Sequence, residues 1–391
     1  MLMRRSSPRA KLNRGFVCCG ACATFLGMLF APPVLRAKVA SPKVVPVFVN
    51  GTDGYTCFRI PAIVKTPDGT LLAFAEARLK SCADFGNVRI VMRTSRNQGR
   101  TWSALRTVAD NDNLQAGNPA PAVDTQDARY PKGRVFLIYC TGNAPERDVL
   151  RGKGVRRVWY KTSADDGKTW SPPVEITTSV KLPSWRAYGT GPGHALQIVG
   201  GRYSGRIVIP AYHSQTMPGS LAQNYVAHTF FSDNHGRSWT LGANVPIPGS
   251  NESTAAQIQS GGIVMNSRDQ SGTHLRILSF SNDGTRSWIK SSVAHDLIGP
   301  TCEGSMISVP VSGKGSVLLF SNPANTSLRW DLTVSASTDG GKTWPRHTLL
   351  YSGPSAYSDI ALLQHHRLGI LFERGNEGGI VFFTWPISSL M

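Results

Sequence analysis

Two patterns of apolar and polar positions alternate along most of this chain. The first is a short strand-like apolar run, as in "VRIVMRTS", "VWYKTS", "VAHTFFS", "LRILSFS" and "LTVSAS". The second is a polar octet that follows each run. "SADDGKTW" (163–170) and "STDGGKTW" (337–344) share a Ser-x-Asp-x-Gly-x-x-Trp pattern. "SRNQGRTW" (95–102) and "SDNHGRSW" (232–239) match with Asn97 and Asn234 at the Asp place, and "SNDGTRSW" (281–288) is a degenerate copy. The octet has the chemistry of a hairpin turn. Ser and Asp side chains bond turn amides, Gly takes a positive φ, and Trp is expected to fold back over its own hairpin. The copies recur at about the spacing of one four-stranded sheet per repeat. The expected fold is all-β, a six-bladed β-propeller of four-stranded antiparallel sheets over residues 45–391.

The N-terminus does not fit that scheme. "MLMRRSSPRAKLNRG" is basic and without acids, "FVCCGACATFLGMLF" is apolar, and "APPVLRA" follows. That order is expected of a secretory signal over residues 1–37, cleaved near Ala37, with a short linker at 38–44. The apolar run is shorter than the roughly 20 residues a spanning helix needs, so no integral membrane span is expected in the mature protein. The expected address is exported, secreted or periplasmic, with a lipid-anchored form as the alternative. Removing residues 1–37 takes away six Lys/Arg and no acid, lowering the formal charge from +18 to +12. Such a charge suits anionic partners or simply solubility. No basic run is interleaved with aromatics, so nucleic acid is not an expected partner. Neither CxxC nor HExxH remains beyond the signal to suggest a metal site.

Charges interrupt several apolar runs. "YTCFRIPAIV" (55–64) reads as a strand entering a core, yet Arg59 sits inside it. A guanidinium is costly to bury without a carboxylate. Glu373 in "LGILFERG", Arg268 in "GGIVMNSRD", Arg329 in "NTSLRWDLTV" and Glu252 in "GSNESTAAQI" pose the same problem. Singly, each of these four reads more readily as a solvated strand end than as a site residue. Jointly, in different blades whose strand starts converge on one axis, three arginines would form an anion site, with Glu373 bracing Arg59.

At this point the chain resembles the bacterial-type exo-α-sialidase (neuraminidase) family of glycoside hydrolases, with its FRIP motif and Asp boxes. Supporting segments are "GNPAPAVD", "WRAYGTGPG", "RIVIPAYH", "SNP" and "GPSAYSDIALL". The resemblance implies that Arg59, Arg268 and Arg329 bind the sialic acid carboxylate and that Glu373 supports Arg59. It implies that Asp84 in "CADFGN" is the acid/base, Tyr357 in "SAYSD" the nucleophile, Glu252 its partner, and that Arg78 in "AEARL" meets a sugar hydroxyl. Ala187, Ala83-Asp84-Phe85-Gly86 and Glu303 depart from the usual residues and leave the linkage preference open. A tyrosine nucleophile suits a substrate whose carboxylate sits on the anomeric carbon, because a carboxylate nucleophile would be repelled there. No cofactor is expected. The expected partners are sialylated glycoproteins, glycolipids or oligosaccharides, met by a monomer. The alternatives are a non-catalytic glycan-binding propeller, or a trans-sialidase or KDN-type sialidase on the same fold. Cys57 precedes Arg59 by two residues and Cys82 precedes Asp84 by two. A disulfide between them is expected, with two separate thiols as the alternative.

Overall fold

The computed structural model describes residues 42–215, 224–311 and 315–391. The expected signal and most of the linker lie outside these residues. Antiparallel strands dominate, and short helices such as Glu146–Leu150 and Thr177–Val180 decorate connections. Six four-stranded units follow one another as blades of a propeller. Blade 1 runs over residues 57–109, blade 2 over 115–175, blade 3 over 188–244, blade 4 over 250–298 and blade 5 over 305–354. Blade 6 takes residues 358–386 and completes itself with Val45–Phe48, which pairs with Ile380–Pro386. Hydrogen bonding separates five sheets, not six, because a single parallel pairing of Val88 with Gln115 links blades 1 and 2. The ring closes where the innermost strand of blade 1, Cys57–Lys65, meets those of blades 2 and 6.

The second strand of each blade is covered on both faces, which is why Leu71–Arg78 and Ile207–Ser214 are buried throughout. Apolar clusters form between neighbouring blades. Ala120, Phe136 and Ile138 of blade 2 pack on Ile207, Ile209 and Phe230 of blade 3.

The octets lie between the third and fourth strands of blades 1 to 5, as the repeat requires. Ser163 Oγ donates to Asp165 (2.8 Å) and accepts from Gly167 N (2.9 Å), and Gly167 has φ +80°. The tryptophans differ from expectation. Instead of covering their own hairpins, several reach the preceding blade: Trp170 meets Phe74 edge-on at 6.0 Å, Trp102 meets Phe382 at 5.4 Å and Trp239 meets Phe136 at 6.0 Å. The apolar ring gains more by filling the gap between two sheets than by lying over a polar turn.

Candidate active site

Antiparallel strands bring the start of the first, the end of the second and the start of the third to the same end of a blade. All the charged side chains singled out above come from these three positions, opposite the octets. Arg59, Glu252 and Tyr357 belong to the starts of innermost strands, as expected. Arg78, Arg268 and Glu373 instead end second strands, Arg329 precedes a third strand, and Asp84 lies in the loop between second and third strands. Strand starts alone therefore do not build the site.

Arg59 is aimed by a bulge. The pairing of Cys57–Lys65 with Leu71–Arg78 shifts register between Arg59 and Ala62, and Ile60 has φ +58°. A β-branched residue rarely adopts that conformation, and Pro61 supplies no amide to the ladder. What holds the bulge is Glu373. Its Oε1 accepts from Ile60 N (2.8 Å) and Arg59 Nε (3.1 Å), and its Oε2 from Arg59 Nη2 (3.0 Å). Burial opposes the Arg59 charge, but Glu373 above all, with Asp84, raises its pKa above the ordinary arginine value.

Blade 2 repeats the device. Asn118, before Pro119, has φ +55° at a register shift, and its N donates to Glu76 Oε1 at 2.9 Å. Glu76 fits there because residue 117 is glycine: a Cβ would lie 2.3 Å from Glu76 Oε1. Glu76 also takes Arg78 through Nε (3.1 Å) and Nη2 (2.7 Å).

Arg78 Nη1 lies 2.8 Å from Asp84 Oδ1 and Arg59 Nη1 lies 3.7 Å from it, while 84% of the Asp84 side chain is exposed. Asp84 is thus held from below and open above. Cys57 and Cys82 form a disulfide, tying the Asp84 loop to the Arg59 strand.

The densest contacts surround Tyr357. Its hydroxyl lies 2.6 and 2.7 Å from the two Glu252 oxygens and accepts from Arg268 Nη1 at 3.0 Å, which also reaches Glu252 Oε2 at 2.7 Å. Arg59 and Arg329 approach the ring, 5.2 and 5.5 Å from its centroid. Burial, then Glu252, pushes the Tyr357 pKa well above its ordinary value, against the pull of Arg268 and Arg59. Tyr357 is therefore a neutral phenol beside a carboxylate acceptor.

These groups line one cavity of about 400 Å³ that contains Arg59, Arg78, Asp84, Glu252, Arg268, Arg329 and Tyr357. Glu373 lies just behind it. Glu76, Gln115, Asn118, Glu146, Arg156 and Tyr212 also line it, and sequence reasoning did not single them out. Glu76 did leave a signal, since two charges two residues apart share one face of the apolar strand LLAFAEAR. Elsewhere among the described residues, Asp124, Asp127 and His235 are close enough to share a metal ion. However, Arg129 and Arg134 already engage Asp127, and a carboxylate oxygen of Asp124 accepts from His235 Nδ1. That cluster is an ion-pair knot.

Residues 69–370 match the BNR repeat-like domain family. A sialidase of Micromonospora viridifaciens is 30% identical over 91% of this chain and 56% of its own length. A sialidase of Bacteroides fragilis is 29% identical over 83% of this chain and 61% of its own length. The chain thus spans less than two thirds of either relative, whereas it covers 93% of sialidase-2 of Cricetulus griseus, at 29% identity and 85% of this chain. Among solved structures, the Hadza microbial sialidase Hz136 superposes with a TM-score of 0.77 at 28% identity, over 89% of this chain and 69% of its own. The chain belongs to the BNR repeat-like domain family, and the relatives it matches above are named sialidases.

Proposed function

We propose that this protein is an exo-α-sialidase that hydrolyses terminal sialic acids from glycoconjugates, with retention and through a tyrosyl-enzyme intermediate. The observation that carries the reading is the Tyr357 hydroxyl bonded to both oxygens of Glu252 amid three arginines. Arg59, Arg268 and Arg329 take the substrate carboxylate, which places the anomeric carbon over Tyr357. The phenol oxygen attacks that carbon as its proton passes to Glu252, and Asp84 protonates the departing glycosidic oxygen. In the second step Asp84 takes a proton from water, which attacks the same carbon. Tyr357 leaves and recovers its proton from Glu252. Two inversions give net retention.

A neutral phenol avoids the repulsion that a carboxylate nucleophile would meet from the substrate carboxylate. Arg78, already held by Glu76 and Asp84, orients the acid and faces a ring hydroxyl. A purely glycan-binding propeller has no use for a phenol bonded to a buried carboxylate, which disfavours that alternative. The basic-then-apolar N-terminus supports export, with the mature chain starting between about residues 38 and 41. Among the described residues no helix is long and apolar enough to cross a membrane. A monomer acting on sialylated glycans completes the reading.

A fluorinated sialosyl fluoride tests the mechanism. The adduct is expected on Tyr357, and natural donors should release the α-anomer first. An adduct on Glu252 or Asp84 overturns the role assignment. Product analysis with added lactose separates hydrolysis from transfer.

A further inference from the structure

The far wall of the cavity carries a second reading, which rests on the sialidase assignment. In a six-membered sugar ring, C2 and C5 lie opposite one another. With the C2 carboxylate on Arg59, Arg268 and Arg329, of blades 1, 4 and 5, the C5 substituent points across the ring toward blades 2 and 3. The side chains that meet it there are Asn118, Glu146 and Arg156 of blade 2 and Tyr212 of blade 3.

Arg156 is the unusual member. It is 6% exposed, and its Nη1 donates to Ala144 O at 2.9 Å. Among the described residues no carboxylate lies within ion-pair distance of it, although every other arginine of the cavity except Arg329 has one. A buried guanidinium with spare donors wants an oxygen acceptor. Glu146, itself exposed, lines the same recess; one of its oxygens accepts from the Tyr225 hydroxyl, and among the described residues no hydrogen bond engages the other. Asn118 Nδ2 reaches the Tyr212 hydroxyl at 3.4 Å.

Behind these groups lies a recess of about 30 Å³, also faced by Gln115, Asn118, Glu146, Arg156 and Tyr212. It is large enough for one or two oxygen atoms. A donor and an acceptor facing one small polar recess recognise a group that both accepts and donates. A hydroxyl does so. The methyl end of an N-acetyl group does neither, and would leave the spare donors of the buried Arg156 without a partner in the recess.

The geometry points to a sialidase selective for a hydroxyl-bearing C5 substituent, either an N-glycolyl group or a hydroxyl directly on C5, over N-acetyl. Arg156 and Glu146 set that preference. The test compares kcat/KM for 4-methylumbelliferyl donors of N-acetylneuraminic acid, N-glycolylneuraminic acid and the 5-hydroxy sugar.

One or both hydroxyl-bearing donors should exceed the N-acetyl donor by about tenfold or more. An N-glycolyl preference means that the hydroxyl enters the recess; a preference for the 5-hydroxy sugar means that it is read next to the ring. In Arg156→Met the ratio should fall toward one, and Glu146→Gln provides the same readout if that variant does not fold. An N-acetyl donor turned over as well as or better than both others overturns the inference while leaving the sialidase assignment intact. Failure to cleave any of the three refutes the assignment itself and the inference with it.

Discussion

The two ends of the propeller use carboxylates in opposite ways. At the octet end, Asp339 accepts from Ser337 Oγ (2.7 Å), Lys342 N (3.0 Å) and Thr343 Oγ1 (2.7 Å), all within four residues. At the cavity end, Glu252 meets Tyr357 across 105 residues and Glu373 meets Arg59 across 314. The turns are local and repeated, so each forms from its own segment. The cavity is non-local and made of single copies, so it exists only once the ring has closed. Damage at one end should therefore register as stability, and at the other as chemistry.

The largest expected effect is at the cavity. Tyr357→Phe removes one oxygen from a packed ring, so kcat should collapse by orders of magnitude while the melting temperature stays near that of wild type. Undiminished turnover would remove the tyrosine from the mechanism. Arg59→Ala should lower kcat/KM by orders of magnitude and also destabilise, since Glu373 loses its ion partner in a buried setting. Arg59 is thus where the two kinds of damage are expected to coincide.

At the other end, Trp344 is fully buried between blades 4 and 5 against Phe320, Leu278 and Ala256. Trp344→Ala should cost roughly 3–5 kcal/mol in urea unfolding and leave the pH optimum of the folded fraction unchanged. A stable but inactive variant would erase the distinction between the two ends.

Acid should also attack the turns. Burial opposes ionisation of Asp165, Asp283 and Asp339, but hydrogen bonds from turn hydroxyls and amides outweigh it and hold their pKa values below the ordinary 3.8. A depressed folded value means stability that is complete above the unfolded value and lost as pH falls through the folded one. Melting temperature should therefore drop below about pH 3.8, with a weaker drop in Asp339→Asn. A flat profile there would mean that the octet bonds do not matter to stability.

The smallest expected effect sharpens the comparison from within the axis. Glu303 is buried, accepts from Ser358 N at 3.0 Å, and leaves Oε1 without a partner. Burial, then Asp359 and Glu252, raises its pKa well above 4.5. A raised carboxyl subtracts stability as pH climbs above the unfolded value. Glu303→Gln should therefore raise the melting temperature, with a gain that grows from pH 5 to pH 8. A gain independent of pH would point to packing instead.

What could be read from sequence divides along the same line. The octets were legible because each is written in one contiguous stretch, and they gave the propeller. Arg59 was legible because a charge stood in an apolar strand, and Glu373 for the same reason. Glu146 and Arg156 were not, because one sits on a short helix among exposed basic residues and the other in an ordinary mixed strand. Only the folded blades bring them to the cavity, Glu146 against Tyr225 of blade 3 and Arg156 against the Ala144 carbonyl of blade 2. The octet tryptophans are hard to read for a related reason: they reach the neighbouring sheet, which a single hairpin does not reveal. The positions of Arg268 and Arg329 followed from antiparallel connectivity, not from strand starts.

The pairing of Val45–Phe48 with Ile380–Pro386 has a consequence for how the protein is made. Val45–Phe48 is made early and its partner strand late, so blade 6 cannot be finished until Ile380–Pro386 has been made. At about 5–20 residues per second, the early blades wait tens of seconds or less for the strand that completes the last one. During that interval the first strand of the ring is an unmatched edge. If the chain is exported, the ring would then close after passage, in the compartment where Cys57 and Cys82 are oxidised. The closed ring would appear only when Ile380–Pro386 arrives, whatever the rate at which the individual turns form.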